Sequence, residues 1–231
     1  AGEKRILKTK NKKVAGSGEG IYWKYESFLK KYDFKLYSTV GAAGELFSIR
    51  TKLYQNVEKN ILLDDFIISM RIAKQGHIIA YEPNAYAQES GSESIKEEMK
   101  RKIRISAGGI QSIIILSELL NIFKYGILSF QYISHRVLRW SITPIALLIL
   151  FPLNLVLFNQ SSHSIYTIIL ICQITFYFLA ILGWIFENIN IKLKLLYIPY
   201  YFTFMNFCLI IGFFNFLKGS QTVLWEKAKR A

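Results

Sequence analysis

The sequence has 231 residues and a formal net charge of +13, and 52% of its residues are hydrophobic. Between residues 141 and 217 its charged residues are Glu187, Lys192 and Lys194, so nearly all charge lies outside this stretch. This distribution excludes an ordinary soluble globule, in which charged and apolar residues alternate, and the apolar content excludes a disordered chain. The sequence therefore predicts a basic, water-facing part followed by a membrane part.

The first 125 residues are predicted to alternate helices with short strands, as in an α/β domain. Apolar periodicity and glycine or proline breaks predict these elements: a basic stretch over 1–14, a break over 16–18, a helix over 19–37, a strand over 46–49, a helix from 64 or 65 to 76, a strand from 77 that Pro83 stops, and a helix over 94–120. Asp64 or Asp65 suits an N-cap. Ser94 with Glu97 matches a capping box.

The membrane part begins with an amphipathic segment over 126–140, predicted to lie in a headgroup layer as an interfacial helix. Its polar side carries His135, Arg136 and Arg139. Three apolar runs follow, each near the ~20 residues that cross a bilayer, and at least two are expected to cross. The runs cover residues 141–158, 164–186 and 195–217.

The side of the membrane on which the chain ends stays open. The uncharged loop over 159–163 fits the outside, whereas Arg136 and Arg139 before the first run mark the inside. Three full crossings would place the basic tail over 218–231 outside, against the positive-inside rule. Either the third run is re-entrant or interfacial, or the rule fails here.

The positive charge implies anionic partners such as phosphates, acidic lipids or nucleic acid. A nucleic-acid role is not expected, because the sequence has no recognisable binding module. Cys172 and Cys208 lie inside apolar runs without paired spacing, which predicts neither a disulfide nor a zinc site. The three histidines lack metal-ligand spacing, so no metal site is expected within this chain.

Three short motifs have residue types that suit chemistry. Asp64 and Asp65 stand at a helix start, where a carboxylate can be held rigidly and accept a proton from a hydroxyl. Arg101 and Arg104 share one helix face, and their guanidinium groups match phosphate oxygens. The glycine-bearing turn over 41–44 would let a ligand approach the backbone. Taken singly, the aspartate pair is more typical of a helix cap, the arginine pair of a solvated basic face, and the glycine motif of an ordinary turn.

The order of these motifs resembles the second half of the processive family-2 glycosyltransferases, membrane enzymes related to cellulose, chitin, hyaluronan and poly-N-acetylglucosamine synthases. The matching segments are Gly18 to Glu26, Gly41-x-x-Gly44-x-Leu46-Phe47-x-x-Arg50, Leu63-Asp64-Asp65-Phe66, Tyr81-Glu82-Pro83-x-Ala85 and Arg101-x-x-Arg104-Ile105-x-Ala107-Gly108. The resemblance implies the C-terminal part of a GT-A-like catalytic domain over 1–125, an interfacial helix over 126–140, transmembrane helices over 141–217 and a basic tail over 218–231.

The resemblance also implies roles for individual residues. Asp65 matches the general base that takes the proton of the acceptor hydroxyl, and Asp64 stands where that family usually has Glu. Arg104 is expected on the nucleotide diphosphate, with Arg101 as support. The loop from Gly41 to Gly44 matches the one that faces the acceptor sugar.

The sequence departs from the family pattern in two ways. Arg101 replaces a Gln, and Ile105 replaces the Trp that stacks under the terminal sugar of the acceptor, so processivity is not predicted. No Asp-x-Asp occurs in the sequence. The ligands of the divalent cation, Mg²⁺ or Mn²⁺, are therefore expected in a nucleotide-binding half outside this chain, and this fragment alone is expected to be inactive.

The tail carries one more candidate substrate-binding residue. Trp225 precedes a basic cluster just beyond the third apolar run, as in tail segments that approach the active-site mouth in some relatives. The alternative is an interfacial Trp beside lipid-facing lysines.

The resemblance implies a multi-pass enzyme of the cell membrane with its catalytic part in the cytoplasm. It would transfer a sugar, with inversion, from a nucleotide-sugar to a growing polysaccharide or glycan acceptor. The alternative is a non-catalytic membrane protein, a transporter subunit or scaffold with a basic lipid-binding domain. That alternative explains the charge and the apolar runs but not the ordered glycine, aspartate and arginine motifs.

Overall fold

The structure, a computed structural model, describes residues 1–6, 15–90, 92, 94–160, 163–189, 191 and 193–219, without the side chains of residues 15–19 and 194. The described part is mostly helical. Its main elements are β1 (Glu3–Ile6), α1 (Ala15–Leu36), α2 (Asp64–Lys74), β2 (Tyr86–Glu89), α3 (Ile95–Ile115), α4 (Ile122–Tyr125), α5 (Ile127–Tyr132), a π-helical segment (Ile133–Ile142), α6 (Thr143–Gln160), α7 (Ser164–Asn188) and α8 (Lys194–Leu217). Short 3₁₀ turns cover Thr51–Leu53 and Ser117–Leu120.

The sheet of the described part has two strands, and their positions differ from the prediction. β1 and β2 pair in parallel, with Glu3 opposite Tyr86 and Ile6 opposite Glu89. The predicted strands over 46–49 and 77–81 are wrong. Each segment makes only isolated backbone bonds, such as Gly2 N–H to Leu46 C=O at 3.0 Å, and isolated bonds do not form a ladder.

The predicted helices of the water-facing part are present, with shifted ends. α1 begins at Ala15, so the predicted break over 16–18 is wrong. Glycine weakens a helix by about 1 kcal/mol without ending it. α2 and α3 confirm the helices expected there, and the side chain of Ser94 accepts the Glu97 amide at 3.3 Å as the N-cap of α3.

The main core lies where α2 meets α3, α5 and the π-helical segment. One face of α2 is fully buried there through Ile67 and Met70. α3 approaches closely at two glycines. An added Cβ at Gly108 would lie 2.7 Å from Leu63, and one at Gly109 would lie 2.7 Å from Trp140. Larger residues at either position would push α3 away from this core.

Helix α5, the π-helical segment and α6 run on without interruption from Ile127 to Gln160. The predicted interfacial segment over 126–140 thus continues directly into the first apolar helix. Its polar side faces protein, because Arg136 and Arg139 both bond to Glu26 of α1. π-Helical segments are rare in proteins, and those that occur are often found at functional sites.

Three helices of the described residues are long and apolar enough to cross a membrane, spanning Ile127–Gln160, Ser164–Asn188 and Leu195–Leu217. α6 and α7 are joined through Asn154, whose amide donates to Gln173 at 3.0 Å. α7 and α8 touch at Gly183, where an added Cβ would lie 2.4 Å from the carbonyl oxygen of Leu196. Small residues allow such close approach between apolar helices.

Candidate functional site

A cavity of about 1380 Å³ lies at the meeting point of six elements. They are α1, the glycine-bearing turn over 41–44, the start of α2, α3, the π-helical segment and α8. Five of the seven candidate catalytic or substrate-binding residues predicted from the sequence line this cavity. They are Gly44, Asp64, Asp65, Arg101 and Arg104. The fold thus brings three motifs that are far apart in the sequence to one cavity.

Of the other two candidates, Gly41 lies elsewhere and Trp225 is outside the described residues. Gly41 packs beneath Phe66, whose Cδ2 would be 2.3 Å from an added Cβ, and its φ of +84° favours glycine. Its place in the fold is thus under α2 rather than in the cavity wall.

Asp65 is half-buried at the start of α2. Its Oδ1 accepts the amide of Phe66 at 2.8 Å, and an added Cβ at Gly44 would lie 3.1 Å from its Oδ2. Burial raises the pKa of Asp65 above its ordinary value, and the charges of Asp64 and Glu45 add to this, against the opposing amides of Phe66 and Gly44. A carboxylate with a raised pKa is a stronger base.

Arg101 is held by a fully buried carboxylate one turn earlier on α3. Its Nη2 lies 3.0 Å from Oε2 and 3.2 Å from Oε1 of Glu98. Glu98 also accepts from Ser92 at 2.5 Å and from the hydroxyl of Tyr201 at 3.2 Å. Burial alone would raise the pKa of Glu98, but Lys102 and Arg101 hold it well below its usual range. Glu98 therefore fixes a cavity arginine and ties α3 to α8.

A second buried carboxylate, Glu26 of α1, holds two further arginines of the cavity wall. Arg136 lies 3.2 Å from it, and Arg139 bonds to its other oxygen. Arg136 also donates to the carbonyl of Val40 at 3.1 Å and stacks over Trp140, with its Cζ 5.6 Å from the ring centroid. Burial acts against the charged form, but Arg139 and Arg136 outweigh it and hold the pKa of Glu26 well below its usual range.

A third ion cluster lies in the cavity wall near the sheet. The ammonium of Lys4 contacts Glu45, lies 2.6 Å from Glu89 and sits 4.7 Å above the ring of Trp23. Glu45, Glu89 and Trp23 all line the cavity. The Glu26 and Lys4 clusters therefore pair charges of the cavity wall across different elements.

No group of three or more His, Cys, Asp or Glu side chains that could hold a metal ion occurs among the residues that the structure describes. The divalent cation that family-2 enzymes generally use thus finds no fitting ligand set in the described part of the chain.

Several cavity residues were not expected from the sequence. Tyr22 and Trp23 of α1 line the cavity together with Glu26 and Lys30. A signal was present: Tyr22, Glu26 and Lys30 recur every four residues, so polar groups interrupt the apolar face of this helix. The aromatic residues contributed by α8, such as Tyr201, carried no such signal.

The comparisons with known proteins bear on this site directly. Residues 23–182 match the family described as glycosyl transferase family group 2. Among curated proteins and among solved structures, nothing matches. The matched segment contains Gly44, Asp64, Asp65, Arg101 and Arg104. Because it covers well over half of the chain, the protein belongs to glycosyl transferase family group 2.

Proposed function

We propose that this protein is a membrane-bound inverting glycosyltransferase that moves a sugar from a nucleotide-sugar donor to a polysaccharide or glycan acceptor. Family membership supports glycosyl transfer. The observation that carries the finer proposal is that Asp65 of α2 lines one cavity with Arg101 and Arg104 of α3. A carboxylate and two guanidinium groups around one space suit an acceptor hydroxyl on one side and a diphosphate on the other.

In this mechanism Asp65 is the general base. As the acceptor oxygen attacks the anomeric carbon, its proton passes to the Asp65 carboxylate. The bond between that carbon and the diphosphate oxygen breaks on the opposite face, so the configuration inverts. The raised pKa of Asp65 favours this step, because a base is most effective when its pKa lies near the working pH.

The arginines act on the leaving group. Arg104 donates to the diphosphate oxygens, where negative charge grows as the bond breaks. Arg101 adds a second positive charge, and Glu98 holds its guanidinium in place through two oxygens. Gly44 leaves room beside Asp65, because any side chain there would crowd its carboxylate.

The cavity also supports a membrane setting for the reaction. Its wall includes Tyr197, Tyr201 and Asn206 of α8, an apolar helix. The acceptor would then be handled at the boundary between the water-facing part and the membrane part. We place residues 1–125 on the cytoplasmic side, since the basic residues before the first apolar run favour that side.

A non-catalytic transporter subunit or scaffold remains the second candidate, and one feature favours the enzyme over it. A lipid-binding domain needs basic residues on its surface. Here Arg101, Arg136 and Arg139 are instead turned into a cavity and held by the buried Glu98 and Glu26.

The decisive experiment replaces Asp65 in the full-length enzyme. We expect Asp65→Asn to lower the rate of sugar transfer by about 10²- to 10⁴-fold, the usual contribution of a general base, with unchanged affinity for nucleoside diphosphate. Transfer is measured with radiolabelled nucleotide-sugar and affinity by calorimetry. Glu82→Gln, an exposed carboxyl outside the cavity, is the matched control. Undiminished transfer by Asp65→Asn would remove Asp65 from this role.

A further inference from the structure

Lys30 carries a buried positive charge in the wall of the cavity. It lies on α1 with 5% of its surface exposed, and it lines the cavity with Asp65 and Glu45. Within the described part of the chain its ammonium makes no ion pair or hydrogen bond. A buried, unpaired ammonium is costly in a folded protein, so a residue of this kind in a cavity wall points to a ligand.

The three carboxylates whose charges act on Lys30 already have other partners. Glu26 is held by two arginines of the π-helical segment. Glu45 bonds to Lys4, and Asp65 accepts the amide of Phe66. Burial lowers the pKa of Lys30, and the positive charge of Arg136 lowers it further, against the three carboxylates. The local charge of Lys30 is therefore only partly compensated within the described protein.

The position of Lys30 indicates which substrate it faces. Lys30 lines the same cavity as Asp65 and Glu45, and both of these carboxylates act on its charge. The arginines expected on the donor diphosphate stand on α3 instead. Since the base faces the acceptor hydroxyl, a ligand of Lys30 would belong to the acceptor.

We propose that Lys30 forms an anion subsite beside Asp65, which binds a carboxylate, phosphate or sulfate group of the acceptor near its reacting hydroxyl. The inference rests on the proposed function, because it uses Asp65 to locate the acceptor. The acceptor would therefore be an acidic glycan. Lysine acts as a compact point charge, so the three anions share one recognition chemistry.

The test compares matched acceptors on the full-length membrane enzyme. The probes are oligosaccharides that end in glucuronate, glucose 6-phosphate, glucose 6-sulfate or plain glucose. We expect the wild type to prefer at least one acidic probe over the neutral one. Lys30→Met should raise the KM for that probe about tenfold to a hundredfold, the effect of losing a charge-assisted hydrogen bond, and change the neutral KM less than about twofold.

Two variants separate charge from structure. Lys30→Arg should retain part of the preference for the acidic probe, because it keeps the positive charge. Lys31→Met changes the exposed neighbouring lysine and should leave the preference intact. Lys30→Met should not lower the melting temperature, since it removes a buried unpaired charge.

The contradicting outcomes are distinct. A wild type that prefers none of the acidic probes, or a Lys30→Met variant that loses both acceptor types equally, would overturn the subsite. A weaker affinity of Lys30→Met for nucleoside diphosphate would assign the charge to the donor and overturn it as well.

A binding measurement separates this proposal from the proposed function. Calorimetry with the acidic and neutral probes needs no turnover, so it reports on Lys30 even if no donor supports transfer. If binding of an acidic probe depends on Lys30, the subsite is supported. If no transfer is observed in the same preparation, only the proposed activity is contradicted. Binding that ignores Lys30 would overturn the subsite whether or not transfer occurs.

Discussion

Asp64 and Asp65 are identical side chains in adjacent positions, and only their surroundings distinguish them. Asp64 is exposed, whereas Asp65 is half-buried and bonded to the Phe66 amide. Burial first, then the negative charges of Asp64 and Glu45, raise the pKa of Asp65. A carboxyl with a raised pKa becomes protonated at a higher pH than an ordinary one, so the proposed base should lose activity early as the pH falls.

Glu45→Gln tests this dependence at the scale of one residue. Removing a negative charge near Asp65 favours its ionised form, so the pKa of Asp65 should fall. The acid limb of the pH profile of kcat/KM should therefore move to lower pH. Glu82→Gln should leave the acid limb in place. If Glu45→Gln does not move the acid limb of the pH profile, the titrating group is not Asp65.

At the residue scale the sequence predicted the motifs but not their supports. Asp65 and Arg104 were predicted as site residues because their spacing follows a family pattern, and both line the cavity. Glu98 was not, since in a segment rich in Glu and Lys it is indistinguishable from a surface carboxylate. Its burial depends on Tyr201 of α8, about one hundred residues later. Sequence spacing holds no information on such distant pairing.

Among the elements, α3 and α8 form the support of the cavity. Contacts pair Glu98 with Tyr201 and Ser106 with Leu209, whose carbonyl accepts the serine hydroxyl at 2.9 Å. The two helices therefore run in the same direction. At Gly212 an added Cβ would lie 2.4 Å from the Cβ of Ser106. This glycine permits the close approach that keeps Arg101 and Tyr201 in one wall.

Gly212→Val should separate these helices. Overpacking of this kind costs about 1–3 kcal/mol, so the melting temperature should fall, and transfer should fall with it because the arginines of α3 shift. Phe207→Leu, an exposed position on the same helix, is the control and should keep both. Transfer and stability that are both unchanged in Gly212→Val would contradict the packing of α3 on α8.

The elements also show which part of the fold was predictable. α2 and α3 were predicted because helix signals such as the Ser94 cap are local to the chain. The strands were not, because a strand exists only with a partner. β1 pairs with Tyr86–Glu89, eighty residues away, and the more strand-like segment over 77–81 has no ladder partner in the described chain.

At the scale of the whole molecule, α8 differs from α6 and α7. It is long and apolar enough to cross a membrane. Both of its ends nevertheless pack against helices of the water-facing part. Near its start, Tyr197 belongs to a buried cluster against which Tyr22 of α1 and Ile95 of α3 pack. Near its end, Phe213 and Phe216 pack on the core built around α2 and α5. If α8 crossed the bilayer, one of its ends would lie on the far side of the membrane from the water-facing part.

We therefore predict that α8 lies along the membrane boundary and that the chain crosses twice, through α6 (Thr143–Gln160) and α7 (Ser164–Asn188). This arrangement keeps the basic tail on the side of residues 1–125, in agreement with the positive-inside rule. The conflict that three crossings create would then disappear.

Cysteine labelling of intact cells tests this topology. In a background with Cys172→Ser and Cys208→Ala, a membrane-impermeant maleimide should label Asn159→Cys directly. It should label Lys52→Cys and Lys218→Cys only after the membrane is permeabilised. All three positions are exposed, so a missing label reports the side of the membrane rather than burial. Direct labelling of Lys218→Cys together with Asn159→Cys would show that α8 crosses, because an odd number of spans separates its end from the water-facing part.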